Sequence, residues 1–562
     1  MKSDWFESKG HFWHVSILLA ISYFFLMFGN GLLSLTHPDE VFYIESAKDM
    51  LRHGRWFTPM IFDEVQFEKP FVSFALFAAA IKWFGLSSFV ARFWPAFFGI
   101  VGVLTVYWIA WLLFRQKRLA FLAGLILSTS FIYVALSRAV LTDMIFSIFV
   151  AITMGFFVLA YFRPEYKSAG LIFCAVFSAI AVLTKGLLGF LFPTATILIF
   201  LIFERNLKFL KTPVTLWALL VFLLLALPWH IVMYLNHGQW FLDEYFGNVH
   251  WRRVLEAEHP RLNKWYFYPG LMFAGVLPWS LFWLPAIVSI REHFKKKTSS
   301  WSGIAFLLAW MLSVFIFIQP AASKLASYIF PLFPAVAILL AMSVDEMFEP
   351  LASISKIRQR LFKSCAYVMS VALVAAAIGG FIVGRKYINF LVSMTPVYIG
   401  GGFVVMMAVL IFIFNRQNNF ARMVVPYSGL SLTLLLILLT ARPYIEPWVS
   451  CKDISEVFKK IDQSDSTVLT SKFYVRGMRF YTDRPMAVID INGKPFWSPH
   501  PVPFLDTEQD VLDFLKKQPV TYAVVKEGNV EDLKRIAQSG NYRLKELGGM
   551  GGKYILRIES GS

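Results

Sequence analysis

The sequence predicts a multi-span α-helical membrane protein, with about 13 transmembrane helices and a soluble α/β domain at its C-terminal end. Three observations carry this expectation. Of the 562 residues, 57% are hydrophobic and only 16% are charged, more apolar surface than a soluble chain of this size needs to bury. Apolar runs of roughly 20 residues, the length that crosses a bilayer, recur up to position 441. Beyond that position the apolar runs shorten to strand length and alternate with amphipathic helical periods.

The apolar stretches are approximately 12–33, 72–86, 89–114, 119–137, 143–162, 168–184, 186–204, 213–234, 267–290, 302–319, 325–344, 362–384, 396–415 and 423–441. The first is too long for a cleaved signal peptide and reads as a retained helix behind Lys2 and Lys9. Basic clusters fall at Arg115–Arg118, Arg163 with Lys167, Arg205 to Lys211, Arg291 to Lys297, Lys356 to Arg360 and Arg416 with Arg422. From Arg115 onward they occupy every second connection, the pattern expected of a cytoplasmic side. Counting back from Arg115, the block 72–114 must cross only once. The shorter run, 72–86, is then an interfacial or re-entrant helix. The polar segment 35–70, which with the non-spanning helix forms a longer unit to about 85, is expected outside, as are a second large loop at 235–266 and the C-terminus.

Residues 442–562 read as a small α/β domain outside the membrane. Strands are expected at 467–470, 487–491, 522–526 and 553–558, and helices at 454–461, 475–481, 508–517 and 530–538. The Pro- and Trp-rich stretch 495–501 is a loop within it. The formal charge of +17 is explained by basic cytoplasmic loops, so no nucleic-acid partner is implied. Three cysteines are too few for a disulfide framework and read as unpaired thiols. There is no phosphate-binding glycine loop, no HExxH, no CxxC and no clustered histidine, so ATP-driven transport and metalloprotease chemistry have no support.

The residues able to do chemistry gather in the outer connections. Asp39 and Glu40 follow Pro38, where acidic side chains suit a helix N-terminus; they either cap an interfacial helix over 41–52 or supply a general base. Asp143 stands at a helix start near Arg138, and the two either pair or face a cavity. Glu68 and Lys69 either pair with each other or put Lys69 against a phosphate. Lys185 either snorkels or joins the same site. His250, Arg252 and Arg253 suit a phosphate or a lipid headgroup. Lys324 and Tyr328 open a later span on the same side.

Several fragments occur in an order that resembles a known family: HPDEVFYIESAKDML, FEKP, SRAVLTD, LTKG, NVHWRR, LPWS and SKLASYIFPLFP. Together they are similar to bacterial integral-membrane glycosyltransferases of the GT-C class. The nearest likeness is to the aminoarabinose transferases that modify lipid A, within the protein-O-mannosyltransferase-like family. The resemblance covers roughly 12–344 and extends in architecture to the soluble domain. It implies transfer of a sugar from a polyprenyl-phosphate carrier, at the outer face of the bacterial inner membrane, with inversion. It implies Asp39, with Glu40, and Asp143 as catalytic carboxylates. It further implies Tyr43, Glu68, Lys69, Arg138, Lys185, His250, Arg253, Lys324 and Tyr328 around the donor sugar and phosphate. The acceptor it implies is lipid A, with a protein as the second reading; a lipid-linked sugar flippase is the reading of another class. No cofactor and no metal ligand set is expected, although the acidic residues permit a divalent cation. Two departures bear on which sugar and acceptor are used. Phe42 stands where the family commonly has Arg before Tyr43, and Phe71 follows Pro70 in place of a second proline.

Overall fold

The computed structural model describes residues 10–388, 392–462, 464–497 and 500–561. The basic residues Lys2 and Lys9, and Ser498 and Pro499 of the 495–501 loop, lie outside the described residues. Among those described, nine helices are long and apolar enough to cross a membrane, or eleven if each of two bent pairs counts as one span. The expected thirteen also counted shorter apolar segments, such as His11–Met27 and Leu188–Phe203. Val72–Phe84 is a separate helix of 13 residues, too short to span at 1.5 Å per residue. It starts at once after the first loop and ends at Gly85, whose φ of +75° stops the helix.

Segment 35–70 folds into three pieces: a helix Asp39–Arg52, a two-residue hairpin pairing Met60–Ile61 with Glu64–Val65, and an extended stretch into Pro70. The helix has aliphatic and acidic residues on nearly every side and is buried on nearly every side. One face packs on the Val72–Phe84 helix and another on a helix of the soluble domain, Val475–Thr482. A helix this charged is stable only where its charges meet partners, and they do. Arg52 reaches Asp63 at 3.1 Å and Asp483 at 3.2 Å, and Arg479 reaches Asp63 at 3.0 Å.

The last long helix, Leu432–Val449, continues eight residues past position 441 before the chain enters the soluble domain. The domain holds a six-stranded sheet: β1 (Val468–Ser471), β2 (Met486–Ile489), β3 (Phe504–Leu505), β4 (Val520–Lys526), β5 (Tyr542–Met550) and β6 (Lys553–Ser560). The order is β3-β2-β1-β4-β6-β5. The first four strands are parallel, and β6 runs antiparallel to both β4 and β5. Alternate residues serve two cores, as a period of two requires. Leu469, Ala487, Ile489, Ala523 and Val525 pack under the Glu508–Leu515 and Glu527–Ser539 helices; Val468, Met486, Val488 and Val524 pack under Lys452–Ile461 and Val475–Thr482. Sequence periodicity missed β3, which is two residues long, and β5, an exposed edge strand containing Gly548 and Gly549.

The soluble domain is stapled to the start of the first loop. Ser34 N–H donates to Glu446 Oε1 at 2.8 Å, His37 N–H to Val449 O at 3.0 Å, and Ser450 Oγ and Tyr481 OH both donate to Leu35 O. Lys553, fully buried, gives its ammonium to the carbonyls of Pro447 and Trp448 at the end of the last helix.

Candidate active site

Successive side chains on a helix point about 100° apart, so Asp39 and Glu40 diverge. Glu40 turns inward. It accepts from Thr36 N and Oγ1, both at 2.9 Å, from Arg92 Nε at 2.7 Å and Nη2 at 2.5 Å, and from Val140 N at 3.0 Å. Arg92 spends its remaining donors on the carbonyls of Asn30, Leu33 and Ser34. Burial would raise the Glu40 pKa, but the Arg92 guanidinium and the backbone donors outweigh it and hold it below the ordinary glutamate value. The expectation that Glu40 shares the catalytic role of Asp39 is corrected: Glu40 is the anchor that ties the first helix, the first loop and the turn before Asp143 together.

Asp39 turns the other way, and its side chain is 68% exposed, with Arg476 Nη1 of the soluble domain 3.7 Å from Oδ1. Solvent reaches it, yet protein surrounds it. That partial desolvation raises its pKa, opposed by Arg476 and reinforced by Glu68, Asp143 and Glu258. These same groups show what Asp39 faces: a charged cleft shared by the first loop, the membrane helices and the soluble domain.

The opposite wall of the cleft is a chain of ion pairs. Lys185 pairs with Asp143, and its ammonium lies 5.0 Å from the Tyr328 ring centroid. Glu68 Oε1 lies 3.8 Å from Lys69 Nζ and 3.4 Å from Arg253 Nη2. Arg253 also reaches Glu258 at 3.6 Å and the Tyr328 hydroxyl at 3.4 Å. Burial first, and then Arg253, push the Lys69 pKa down to about 7, with Glu68 pulling the other way. Glu68 feels burial as well, but Lys69 and Arg253 hold it at about 2. The wall thus sets three cations, Lys69, Lys185 and Arg253, against three carboxylates, Glu68, Asp143 and Glu258; an arriving phosphate would favour the protonated form of Lys69 and add the charge that its cations can pair with.

The remaining expected residues play other parts. His250 does not enter the ion-pair chain: its Nδ1 lies 2.6 Å from Tyr245 O, and its ring leans on the turn after Lys185. A Cβ at Gly186 would stand 2.5 Å from His250 Nε2, and Gly186 has φ +102° and ψ −159°, a region open only to glycine. Histidine and glycine thus set where Lys185 points. Arg138 does not pair with Asp143; it donates to the carbonyls of Phe25 and Phe28, closing the end of the first membrane helix. Lys324 gives its ammonium to the Gln319 and Ala321 carbonyls, shaping the turn before Tyr328. Tyr43 is buried among Phe42, Phe74 and Phe77, with its hydroxyl beside Thr142 at the start of the Asp143 helix.

Sequence reasoning missed Glu258, Arg476 and His500. Glu258 sits in an irregular loop, and the other two come from the soluble domain with no local motif to mark them. Arg476 Nε donates to His500 Nε2 at 3.1 Å. Neighbouring residues of the 495–501 loop reach across to the membrane part: Asn248 Nδ2 donates to Trp497 O at 2.9 Å, and the Arg252 guanidinium lies 4.0 Å from the Trp497 ring centroid. Two cavities flank the cleft. One of about 30 Å³ runs between Glu68 and His500; the other, of about 290 Å³ and largely apolar, lies behind Glu40 and Arg92. Asp39 lines neither and opens to solvent. Among the described residues no cluster of histidine, cysteine, aspartate or glutamate has the arrangement of a metal site.

Residues 12–239 match the family model described as dolichyl-phosphate-mannose-protein mannosyltransferase. An uncharacterized protein of Aquifex aeolicus is 26% identical over 476 residues, covering 83% of this chain and 87% of that protein. The undecaprenyl phosphate-α-4-amino-4-deoxy-L-arabinose arabinosyl transferase of Enterobacter sp. is 31% identical over 320 residues, 56% of each chain. Its Proteus mirabilis counterpart is 28% identical over 61% of this chain and 62% of its own. The matches thus span little more than half of these two transferases. In structure, the chain is similar to ArnT from Cupriavidus metallidurans bound to undecaprenyl phosphate, with a TM-score of 0.76 at 19% identity over 97% of both chains. The archaeal oligosaccharyltransferase AglB from Archaeoglobus fulgidus is more distant, with a TM-score of 0.52 at 14% identity over 92% of this chain and 70% of its own. The likeness to ArnT establishes the fold: a multi-span membrane part joined to a sheet-bearing soluble domain.

Proposed function

We propose that this chain, which has the fold of the GT-C membrane glycosyltransferases, transfers a sugar from undecaprenyl phosphate to lipid A. The sugar is 4-amino-4-deoxy-L-arabinose or a close relative, and transfer takes place at the periplasmic face of the bacterial inner membrane. One observation carries the reading most directly. An exposed carboxylate, Asp39, faces a wall of Lys69, Lys185 and Arg253 partnered by Glu68 and Asp143, at a polar cleft over membrane helices. The named relatives use such a lipid-linked donor.

The chemistry follows from the charges. The acceptor oxygen attacks the anomeric carbon, its bond to the carrier phosphate breaks, and the electron pair leaves with undecaprenyl phosphate. Inversion results because attack and departure occur on opposite faces. The leaving phosphate already leaves well, so the main requirements are orientation and neutralisation of charge. Lys69 and Arg253 meet the phosphate; Lys185, fixed by Asp143, adds a third cation. A lipid A phosphate is already ionised and gives up no proton. Asp39 in its ionised form then holds the sugar amine or orients the acceptor; with a hydroxyl acceptor it would take the proton instead. This reading needs no cofactor, although the acidic residues permit a divalent cation; turnover after dialysis against EDTA, unchanged on this reading, distinguishes the two.

Mass spectrometry of lipid A and of the glycoprotein pool, from cells with and without the protein, tests substrate and acceptor together. Loss of an aminopentose mass from lipid A supports the reading. An unchanged lipid A with a depleted glycoprotein pool replaces it with protein glycosylation. Asp39→Asn and Asp143→Asn each abolish transfer while the protein still inserts; full activity in both refutes the assignment.

A further inference from the structure

The Asp39–Arg52 helix and the Val475–Thr482 helix lie against each other, each with its N-terminus at the cleft. Their packing is fixed by ion pairs farther along both helices, Arg52 with Asp483 and Lys48 with Asp483, and by Arg479 with Asp63 beside them. Asp39 heads the first helix, and Arg476 belongs to the first turn of the second. The result is a contact at 3.7 Å between a membrane-loop carboxylate and a soluble-domain guanidinium.

Arg476 is held in place. Its side chain is only 16% exposed, and its planar group lies over the Phe42 ring at 4.7 Å. Its Nε–H donates to His500 Nε2, which fixes that imidazole nitrogen as an acceptor because arginine can only donate. His500 in turn stacks on Phe496 at 4.2 Å, and Lys472 ties that loop down through the carbonyls of Lys494 and Pro495. A guanidinium held between the Phe42 ring and His500 and turned toward one exposed carboxylate is less mobile than an ordinary surface ion pair, which would be worth little.

We propose that Arg476 is a positioning residue for Asp39, so that the soluble domain completes the catalytic cleft. Its charge keeps the carboxylate ionised against the neighbouring anions, and its fixed geometry aims the carboxylate at the sugar. The inference rests on Asp39 being the working carboxylate. The charged groups facing Asp39 are Arg476 on one side and Glu68, Asp143 and Glu258 on the other, those three paired in turn to Lys69, Lys185 and Arg253, with Glu40 beside it already paired to Arg92. The wall cations are already spent on the wall anions, whereas Arg476 is the cation in direct contact with Asp39, so removing it makes Asp39 harder to ionise.

The experiment uses the full-length protein in detergent or proteoliposomes, with undecaprenyl phosphate-α-4-amino-4-deoxy-L-arabinose and lipid A, across a pH series. In Arg476→Met, kcat falls at least about tenfold at neutral pH, donor KM changes little, and the acidic limb of the kcat profile moves to higher pH. In Arg476→Lys the charge is kept but the brace on His500 is lost, so the limb stays in place while kcat falls less. A Met variant whose limb does not move overturns the proposal, even if it is slow, because slowness alone is a packing effect. If the Met variant does not accumulate in membranes, the Lys variant decides: a limb that moves despite the retained charge also overturns it. Asp39→Asn, run alongside, separates the two readings. Full activity there removes the catalytic carboxylate itself, whereas loss there together with an unmoved limb in Arg476→Met removes only the role of Arg476.

Discussion

Two adjacent carboxylates, Asp39 and Glu40, give opposite outcomes when neutralised. Glu40 and Arg92 are buried to 6% and 4% side-chain exposure, and the carboxylate receives five hydrogen bonds, two of them from the guanidinium. Removing one member of such a pair leaves the other buried and unpaired, at about 3–5 kcal/mol. Arg92→Met is therefore expected to lose that much stability, and Glu40→Gln somewhat less, because its amide oxygen still accepts from the backbone donors. Asp39→Asn, at an exposed site, is expected to leave stability near wild type while abolishing turnover. The assay is thermal unfolding of detergent-purified protein, followed by size-exclusion chromatography, paired with transfer activity below the unfolding temperature. Glu40 has a lowered pKa in the fold. Its contribution is therefore present above the unfolded-state value and is lost as pH falls below 4.5 toward the folded value. A Glu40→Gln protein as stable as wild type but as inactive as Asp39→Asn would refute the division of labour and put Glu40 back in the chemistry.

Other tests address the cationic wall. With its pKa at about 7 in the free protein, Lys69 loses its charge as pH rises through that value, so donor affinity should weaken above about pH 7 in direct binding measurements; Lys69→Met should weaken binding at every pH and flatten that dependence. Gly186→Ala should cost roughly 1–3 kcal/mol from backbone strain alone and lower turnover by moving Lys185. Adding His250→Ala removes the collision but not the strain, so activity should recover in part; no recovery would mean that His250 does more than buttress the turn. Asp143→Asn and Lys185→Met should each destabilise the protein, and the double variant should be more stable than the sum of the two losses predicts; strict additivity would show that the pair is not coupled.

The fold class was legible because membrane helices are written in long apolar runs and the soluble domain in short ones. The non-spanning character of Val72–Phe84 followed from basic residues far away, at Arg115 and beyond. The site was legible in part. Asp39, Glu68, Lys69, Asp143, Lys185, Arg253 and Tyr328 do come together, because each stands where a helix end meets a polar connection. Glu40 could not be separated from Asp39, since nothing local announces Arg92 more than 50 positions later as its partner. Arg138 and Lys324 were misleading for a related reason: a cation near a helix end serves backbone carbonyls as readily as a phosphate. Arg476 and His500 left no trace, because their relation to Asp39 exists only once the soluble domain packs against the first loop.

The bonds between residues 34–37 and residues 446–481 join positions more than 400 apart in the chain. A ribosome must finish nearly the whole polypeptide before these can form. The membrane helices can insert as they emerge, with Glu40 finding Arg92 early, but Asp39 waits for the last fifth of the protein. Truncated or stalled products would therefore carry a membrane part in which Asp39 lacks its Arg476 contact. The cleft is therefore completed only late in synthesis, once the segment that carries Arg476 has emerged and packed against the first loop.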